Sequence, residues 1–175
     1  MRITRPIVAA TIALGIAACA TSGLPQVDTL YARHTMQAEV NPAIVRIWDI
    51  GNNAMTKSGG FDPAQMTPAL WTELADAAGD LATAGERMAV ASDIRAAAPS
   101  NMATEDYEVS MADVQRFIDA DSQGFRNEAA EFSVHARALQ AAALARDVGA
   151  AGDLVAGMDT ACASCHNRYW YAEAE

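Results

Sequence analysis

The residues best suited to chemistry stand close to the C-terminus, in the run Cys162-Ala163-Ser164-Cys165-His166. Two thiols three positions apart, with an imidazole directly after the second, give the spacing C-x-x-C-H. On an α-helix, positions i, i+3 and i+4 lie on one face, so the three side chains would point into the same space. There they could anchor a haem through two thioethers and an axial nitrogen, bind another metal, or exchange a disulfide.

The last two kinds of chemistry need surroundings that the sequence lacks. A thioredoxin-like C-x-x-C follows a strand in a βαβ unit, and a zinc site needs four ligands, whereas His34 and His135 come with no matching cysteines. A disulfide between Cys162 and Cys165 fits a regular helix poorly. C-x-x-C-H is the attachment motif of c-type haem. The sequence therefore predicts one covalent haem c, anchored by the two cysteines, with His166 as the proximal iron ligand.

The third cysteine of the chain, Cys19, stands at the end of a processing signal. A positive head that contains Arg2 and Arg5 precedes an uncharged apolar stretch over residues 7–18, and Ile16-Ala17-Ala18-Cys19 has the pattern of a lipobox. We therefore expect cleavage before Cys19 and lipidation of its thiol. The alternatives are a plain signal peptide cut elsewhere or an uncleaved anchor, although spanning a bilayer takes about 20 apolar residues.

This processing predicts a lipoprotein signal peptide over residues 1–18, a lipidated cysteine with a tether over residues 19–26, and one haem domain over residues 27–175. The mature protein would lie in the periplasm of a Gram-negative bacterium, attached to a membrane by its lipid. Cleavage removes two arginines and no acid, so the formal charge changes from -10 to -12. Such a charge repels phosphate backbones, which argues against nucleic acid as a partner. The charge is explained by solubility, with a basic docking face on a redox partner as the alternative.

The elements that must position the motif are predicted to be helices. Alanine is abundant, and β-branched residues never gather into alternating apolar and polar runs, which favours helices over strands. The first helix is predicted over residues 28–54. Pro42 lies inside it and should kink or break it, because proline lacks an N–H and clashes with the preceding turn. The apolar residues of this helix recur at helical spacing: Met36, Val40, Ile44 and Ile47.

The second helix is predicted to begin at Pro68, with Thr67 as its N-cap, and to fade between residues 91 and 98. Its expected buried stripe is Leu70, Leu74, Ala77, Ala78 and Leu81. A loop over residues 100–108 and a short helical segment over residues 111–120 should follow.

The third helix has the most regular apolar pattern and is predicted to begin after an Asp121-Ser122 cap. Gly149 and Gly152 are expected to frame the turn into the last helix, over residues 153–170. These elements predict an all-α fold, an antiparallel four-helix bundle with the haem attached to its last helix. The seam of the third helix alternates steps of four and three: Phe125, Ala129, Phe132, Ala136, Leu139 and Ala143.

A helical bundle that carries C-x-x-C-H-x-x-Tyr near its C-terminus resembles the class II cytochromes c, the cytochrome c-prime family, here in a lipoprotein branch. The resemblance covers most of the mature chain. Relatives usually have an arginine directly after the aromatic residue that follows the haem histidine; this chain has Trp170 there and Arg168 two residues earlier. The match lies in the last helix and part of the first: Ala161-Cys162-Ala163-Ser164-Cys165-His166-Asn167-Arg168-Tyr169, Met36, Asn41-Pro42 and Trp48.

The resemblance implies that a residue of the first helix faces the iron and decides the function. It is a methionine in low-spin electron-transfer members and an apolar residue in high-spin members that bind small gases. Met36 is the candidate distal ligand, with core packing as the alternative, and His34 should point elsewhere. Met158 and Tyr169, one turn to either side of the motif, are expected to wall the pocket. His135 is expected to be a surface or hydrogen-bonded histidine.

Three functions follow from these expectations. The first is one-electron transfer by a membrane-tethered monohaem cytochrome in the periplasm. The alternative is binding of nitric oxide or carbon monoxide at an open or displaceable distal site, and a third is an accessory subunit of a larger complex. Trp48 and Trp71 are expected to pack in the bundle, and no nucleophile–base arrangement predicts enzymatic activity. The resemblance further implies a homodimer formed through the first two helices.

Overall fold

The computed structural model describes residues 29–106 and 108–171, and helices dominate them. This confirms the all-α class, apart from two strands of three residues each, β1 (Thr29–Tyr31) and β2 (Asp93–Arg95). No described helix is both long and apolar enough to cross a membrane. The predicted signal peptide, the predicted tether and Cys19 lie outside the described residues.

The first long helix contains a change of helical geometry just before its proline. A short α1 (Ala32–Thr35) continues into a π-helical segment, Met36–Val40, and then into α2 (Asn41–Ala54). The N–H of Asn41 donates to the carbonyl of Met36, five residues earlier. Pro42 comes directly after this segment, so the helical bond that proline cannot donate falls where the hydrogen-bond pattern already changes. The expected break is therefore a π-helical turn, and the helix continues through Pro42.

The second long helix, α3 (Pro68–Val90), begins as the sequence predicts. The Thr67 hydroxyl oxygen accepts a hydrogen bond from the Leu70 N–H at 3.3 Å, which satisfies one of the free donors of the first turn. Leu74 and Leu81 are fully buried, whereas Leu70 is only partly so. The predicted apolar stripe is thus correct over most of its length.

β1 and β2 form a parallel pair in which Leu30 lies opposite Ile94. Both side chains are buried, and the Arg33 N–H extends the connection by donating to the Ala96 carbonyl at 2.9 Å. The first helix, predicted from residue 28, therefore begins only at Ala32, and neither strand is predicted by the sequence. Three residues cannot show an alternating pattern, and the pairing joins segments far apart in the sequence.

Two further helices follow a short 3-10 turn, Pro99–Asn101. Helix α4 (Met111–Ala120) has the predicted bounds, and α5 (Ser122–Ala145) begins at the predicted cap, with the Asp121 carboxylate accepting from the Gly124 N–H at 2.9 Å. Helix α5 ends where Arg146 adopts the left-handed conformation, with φ of 54°.

The last helical region is divided, contrary to the predicted continuous helix over residues 153–170. Helix α6 (Val148–Ala156) and α7 (Met158–Tyr169) are separated at Gly157. Gly149 and Gly152 lie inside α6 and do not frame its turn. Asp147 caps α6 by accepting from two backbone N–H groups, so the helix begins earlier than the glycines suggested.

The long helices contact one another in opposite chain order. Along α3 and α5, Gly79 lies against Gln140 and Gly85 lies against Ser133. The small residues on both faces let the two helices approach closely. Other antiparallel contacts are ion pairs: Arg46 with Asp80 and Glu39 with Arg87 between the first helix and α3, and Arg168 with Asp121 between α7 and the start of α5.

Candidate functional site

Helix α7 carries the three residues of the C-x-x-C-H motif. Cys162, Cys165 and His166 are each partly exposed, and both cysteines are free thiols. The carbonyl of His166 accepts from the N–H groups of Trp170 and Tyr171, at 2.8 and 2.7 Å. These two bonds end the helix directly after the motif, so the backbone that carries the imidazole is fixed on its C-terminal side.

All three motif residues line one cavity of about 430 Å³. Ligand sites in proteins usually have volumes of about 300–1,000 Å³, so the space suits a cofactor. Met36 and Trp48 of the first helix line the same cavity. The structure therefore brings the motif and the candidate distal methionine, predicted on separate helices, to a single site.

The cavity lies where two apolar clusters of the core meet. Cys162 packs against the cluster that contains Ile47 and Leu139, and Cys165 packs against the cluster that contains Phe125. Met36 and Phe132 touch both clusters, which places them at the boundary. The remaining walls of the cavity are mostly apolar and come from the first helix, α3 and α5: Val40, Ile44, Met88, Phe125, Ala129 and Phe132.

Burial sets the protonation state of the site. It raises the pKa of the Cys165 thiol to about 12, with an added effect of the Glu128 carboxylate, and it raises the pKa of Cys162, with an added effect of Asp159. Burial lowers the pKa of the His166 imidazole. Redox-active C-x-x-C thiols have lowered pKa values, so thiol–disulfide exchange is disfavoured. A neutral imidazole keeps the lone pair that a metal requires.

Polar contacts attach α7 to α5 beside the motif. The Ser164 hydroxyl donates to Glu128 Oε2 at 2.5 Å, and Arg168 Nη1 lies 3.8 Å from the other oxygen of the same carboxylate. Arg168 also pairs with Asp121, the cap of α5. Arg168, which stands two residues before Trp170, is therefore paired with carboxylates of this chain.

The two residues predicted to wall the pocket have different positions. Tyr169 is buried, lines a second, smaller cavity of about 20 Å³, and donates its hydroxyl to the Asp121 carbonyl at 3.2 Å. Its ring meets Phe125 edge to face at 5.3 Å. Burial raises its pKa to about 12. Met158 is fully buried in the core and is not among the described residues that line either cavity.

The remaining histidines have no place at the site. His34 is exposed, although it stands only two residues from Met36. His135 donates from Nε2 to the Leu154 carbonyl at 2.8 Å, so it is a hydrogen-bonded histidine, as the sequence predicts. The bond connects α5 to α6. Within residues 29–106 and 108–171, no cluster of three or more histidines, cysteines and carboxylates could hold a metal ion.

Several residues that line the cavity are not predicted by the sequence to do so. Trp48, expected to pack in the bundle, is 39% exposed and lines the cavity, whereas Trp71 is buried edge to face against Phe61 at 5.8 Å, as expected. Glu128 and Asp159 also line the cavity. Helical spacing offered a signal for Glu128, which lies one turn before Phe132 of the α5 seam.

The residues present fit a covalently attached haem. Two protonated thiols and a neutral imidazole share an apolar cavity of suitable size, and Met36 of another helix lines the same cavity. Comparisons of the chain with protein-family models, curated proteins and solved structures found no match.

Proposed function

We propose that this protein is a monohaem c-type cytochrome that transfers single electrons, with its haem held in an antiparallel four-helix bundle. One observation carries the proposal: the two cysteines and the histidine of one helix, together with Met36 of another, line a single apolar cavity. The opposite chain order of the helix contacts supports the bundle arrangement.

Each residue would have a distinct task. The thiols of Cys162 and Cys165 would form the covalent anchors, the neutral imidazole of His166 would be the proximal ligand, and Met36 would supply a distal thioether. A thioether ligand raises the reduction potential and closes the iron to other ligands. A haem bound there supplies one-electron redox chemistry. The aromatic walls, Phe125 and Phe132, would keep water from its faces.

The same proposal includes a place in the cell. Lipidation of Cys19 would attach the protein to a membrane on the periplasmic side, where thiols meet an oxidising environment. An unidentified redox partner would meet the protein there. A Cys19→Ala variant, fractionated between detergent and aqueous phases, tests this part independently of the haem.

Covalent haem is the direct test. The protein, expressed with c-type cytochrome maturation machinery, should retain haem after denaturing electrophoresis and show a mass increase of one haem. The double variant Cys162→Ala/Cys165→Ala should lose both signals. Ser164→Ala, which changes one of the two residues between the cysteines and keeps both thiols, is the matched control and should retain the haem. A colourless native protein under these conditions contradicts the proposal.

The distal ligand separates electron transfer from gas binding. The native protein should be low-spin, and Met36→Ala should be high-spin and should change its ferrous spectrum on addition of carbon monoxide. His34→Ala, on the same helix but exposed, should keep the native spectrum. The second candidate function, binding of a small gas, is favoured by the small cavity that Ala32 and Ile118 line beside Met36 and His166. A high-spin native spectrum would support that function instead.

A further inference from the structure

Exposed apolar side chains collect where the cavity opens to solvent. Trp48 is 39% exposed while lining the cavity, and Tyr171, just beyond the end of α7, lines it while 61% exposed. Val45 is 45% exposed and lies one turn from Trp48, on the same face of α2 as Asn41, which also lines the cavity. Isolated exposed apolar residues are ordinary, whereas a group at the opening of a site marks an interaction surface.

Carboxylates without ion pairs border this apolar group. Asp159 is exposed and lines the cavity, and Asp49 is exposed one turn after Val45 and next to Trp48. Within residues 29–106 and 108–171, neither carboxylate forms an ion pair. The same part of the chain contributes no lysine or arginine to the lining of the cavity.

The arginines on the neighbouring helices do not offset these charges. Arg46 of α2 pairs with Asp80, and Arg87 of α3 pairs with Glu39 at 2.5 Å. Arg168 is held by carboxylates at the start of α5. The opening of the cavity therefore combines an apolar centre with uncompensated negative charge, on a chain whose formal charge is -10.

We propose that Val45, Trp48, Asp49, Asp159 and Tyr171, here called the mouth surface, form the docking site for a redox partner protein with lysines or arginines around an apolar centre. This proposal rests on the proposed function, because an electron must leave a group bound in the cavity where that group comes nearest to solvent. Opposite charges across an interface speed encounter and exclude wrong partners. Apolar contact then holds a small, transient interface of less than about 1,200 Å².

A second copy of this chain is a poorer occupant of the mouth surface. It would bring its own Asp49 and Asp159 against the same carboxylates, and like charges placed together at an interface are unfavourable. A basic partner gains from both the charges and the apolar residues of the surface. The charge of the partner therefore distinguishes the two occupants.

The test measures electron transfer from the reduced, haem-loaded protein to an oxidised probe, a small lysine-rich c-type cytochrome. One electron passes, the donor iron is oxidised and the probe iron reduced, and no proton or bond is transferred. Stopped-flow absorbance gives the second-order rate constant and its dependence on ionic strength. Asp49→Lys should lower the rate constant about threefold to tenfold at low ionic strength and flatten the salt dependence. A small acidic c-type cytochrome should react faster with this variant than with the native protein.

Asp119→Lys is the matched control, because Asp119 is exposed on α4 and its substitution changes the net charge by the same amount as Asp49→Lys. It should leave the rate constant within about twofold of the native value. An equal loss of rate constant in both variants would show that only the net charge matters, and would overturn the assignment of the mouth surface as a docking site. A stable homodimer that Val45→Lys dissociates would assign the surface to a second copy and would also overturn it. Absence of covalent haem, checked first by mass, would instead contradict the proposed function itself.

Discussion

Glu128 of α5 accepts a hydrogen bond from Ser164 of α7 across 2.5 Å, and Ser164 stands between the two cysteines of the motif. Arg168, beyond the histidine, lies 3.8 Å from the other oxygen of the same carboxylate. One side chain of α5 therefore contacts the motif helix on both sides of His166. The position of α7 relative to α5 depends on this carboxylate as well as on apolar packing.

Substitution of Glu128 should loosen α7. Glu128→Ala removes the acceptor of Ser164 and the partner of Arg168, and we expect a loss of about 1 kcal/mol in the free energy of unfolding, because the contacts are near the surface. Glu128→Gln keeps an acceptor for Ser164 and should lose about half as much. Urea unfolding of the haem-free protein measures both values. If Glu128→Ala unfolds at the native midpoint, the carboxylate does not hold the helix.

The π-helical segment before Pro42 should hold Met36 in register with α2. The Asn41 N–H donates to the Met36 carbonyl, five residues earlier, so deleting Ala38, an exposed residue of that segment, would turn this bond into an α-helical one and leave Met36 in place. Inserting an alanine after Ala38 would instead rotate Met36 relative to α2 by about 100°. If Met36 is the distal ligand, the insertion should convert a low-spin haem spectrum into a high-spin one, whereas the deletion, as the control, should remain low-spin. Circular dichroism should show unchanged helix content in both variants, and a low-spin insertion variant would contradict the assignment.

Two glycines of α6 should respond in opposite ways to a methyl group. A Cβ at Gly152 would lie 2.3 Å from the Gly60 Cα and 2.7 Å from its nitrogen, so backbone must move. Gly152→Ala should therefore cost about 1–3 kcal/mol of stability. At Gly149 the nearest atom to such a Cβ is 3.7 Å away, and Gly149→Ala should stabilise the protein by about 0.5–1 kcal/mol. Thermal unfolding of both variants compares them, and equal effects would argue against the close contact.

The ion pair between α3 and α5 should add a pH dependence to stability. Arg137 donates to both oxygens of Glu86, at 2.8 and 2.9 Å, and these bonds hold the pKa of the Glu86 carboxyl below its usual value. The ion pair therefore contributes its full stability above the unfolded-state pKa of a glutamate, about 4.3. This contribution is lost as the pH falls through the lower pKa that Glu86 has in the folded protein. Both side chains are partly exposed, so it should amount to about 0.2–1 kcal/mol.

Glu86→Gln measures this contribution. The difference in free energy of unfolding between the native protein and the variant should be largest near neutral pH. It should shrink in the acid range, and high salt should reduce it at every pH. A difference that stays constant from neutral to acid pH would show that the charge of Glu86 does not contribute.

Local signals in the sequence predicted much of the fold. Thr67 with Pro68, and Asp121 ahead of α5, cap helices in the structure because a short polar side chain satisfies free N–H groups of the adjacent turn. That interaction involves only neighbours in the chain. The spacing of Cys162, Cys165 and His166 is likewise local, and their common cavity follows from one helical face.

The features that were missed depend on distant residues. Trp48 lines the cavity because of where α7 lies, which the apolar pattern of α2 does not specify. A glycine stands inside α6 at position 152 because the Gly60 backbone leaves no room for a side chain there. Met158 continues the face of the motif by spacing, yet the helix packing buries it in the core.

The interruption at Gly157 gives α6 and α7 separate sets of contacts with the rest of the chain. Helix α6 is seated by the hydrogen bond between His135 and Leu154 and by its contact with Gly60, neither of which involves α7. If haem is attached as proposed, both cysteines must become accessible to the attachment enzyme, and a hinge at Gly157 would let α7 move outward while α6 stays in place. In the haem-free protein we expect amide hydrogens of α7 to exchange faster than those of α6; equal protection of the two would argue against such a hinge.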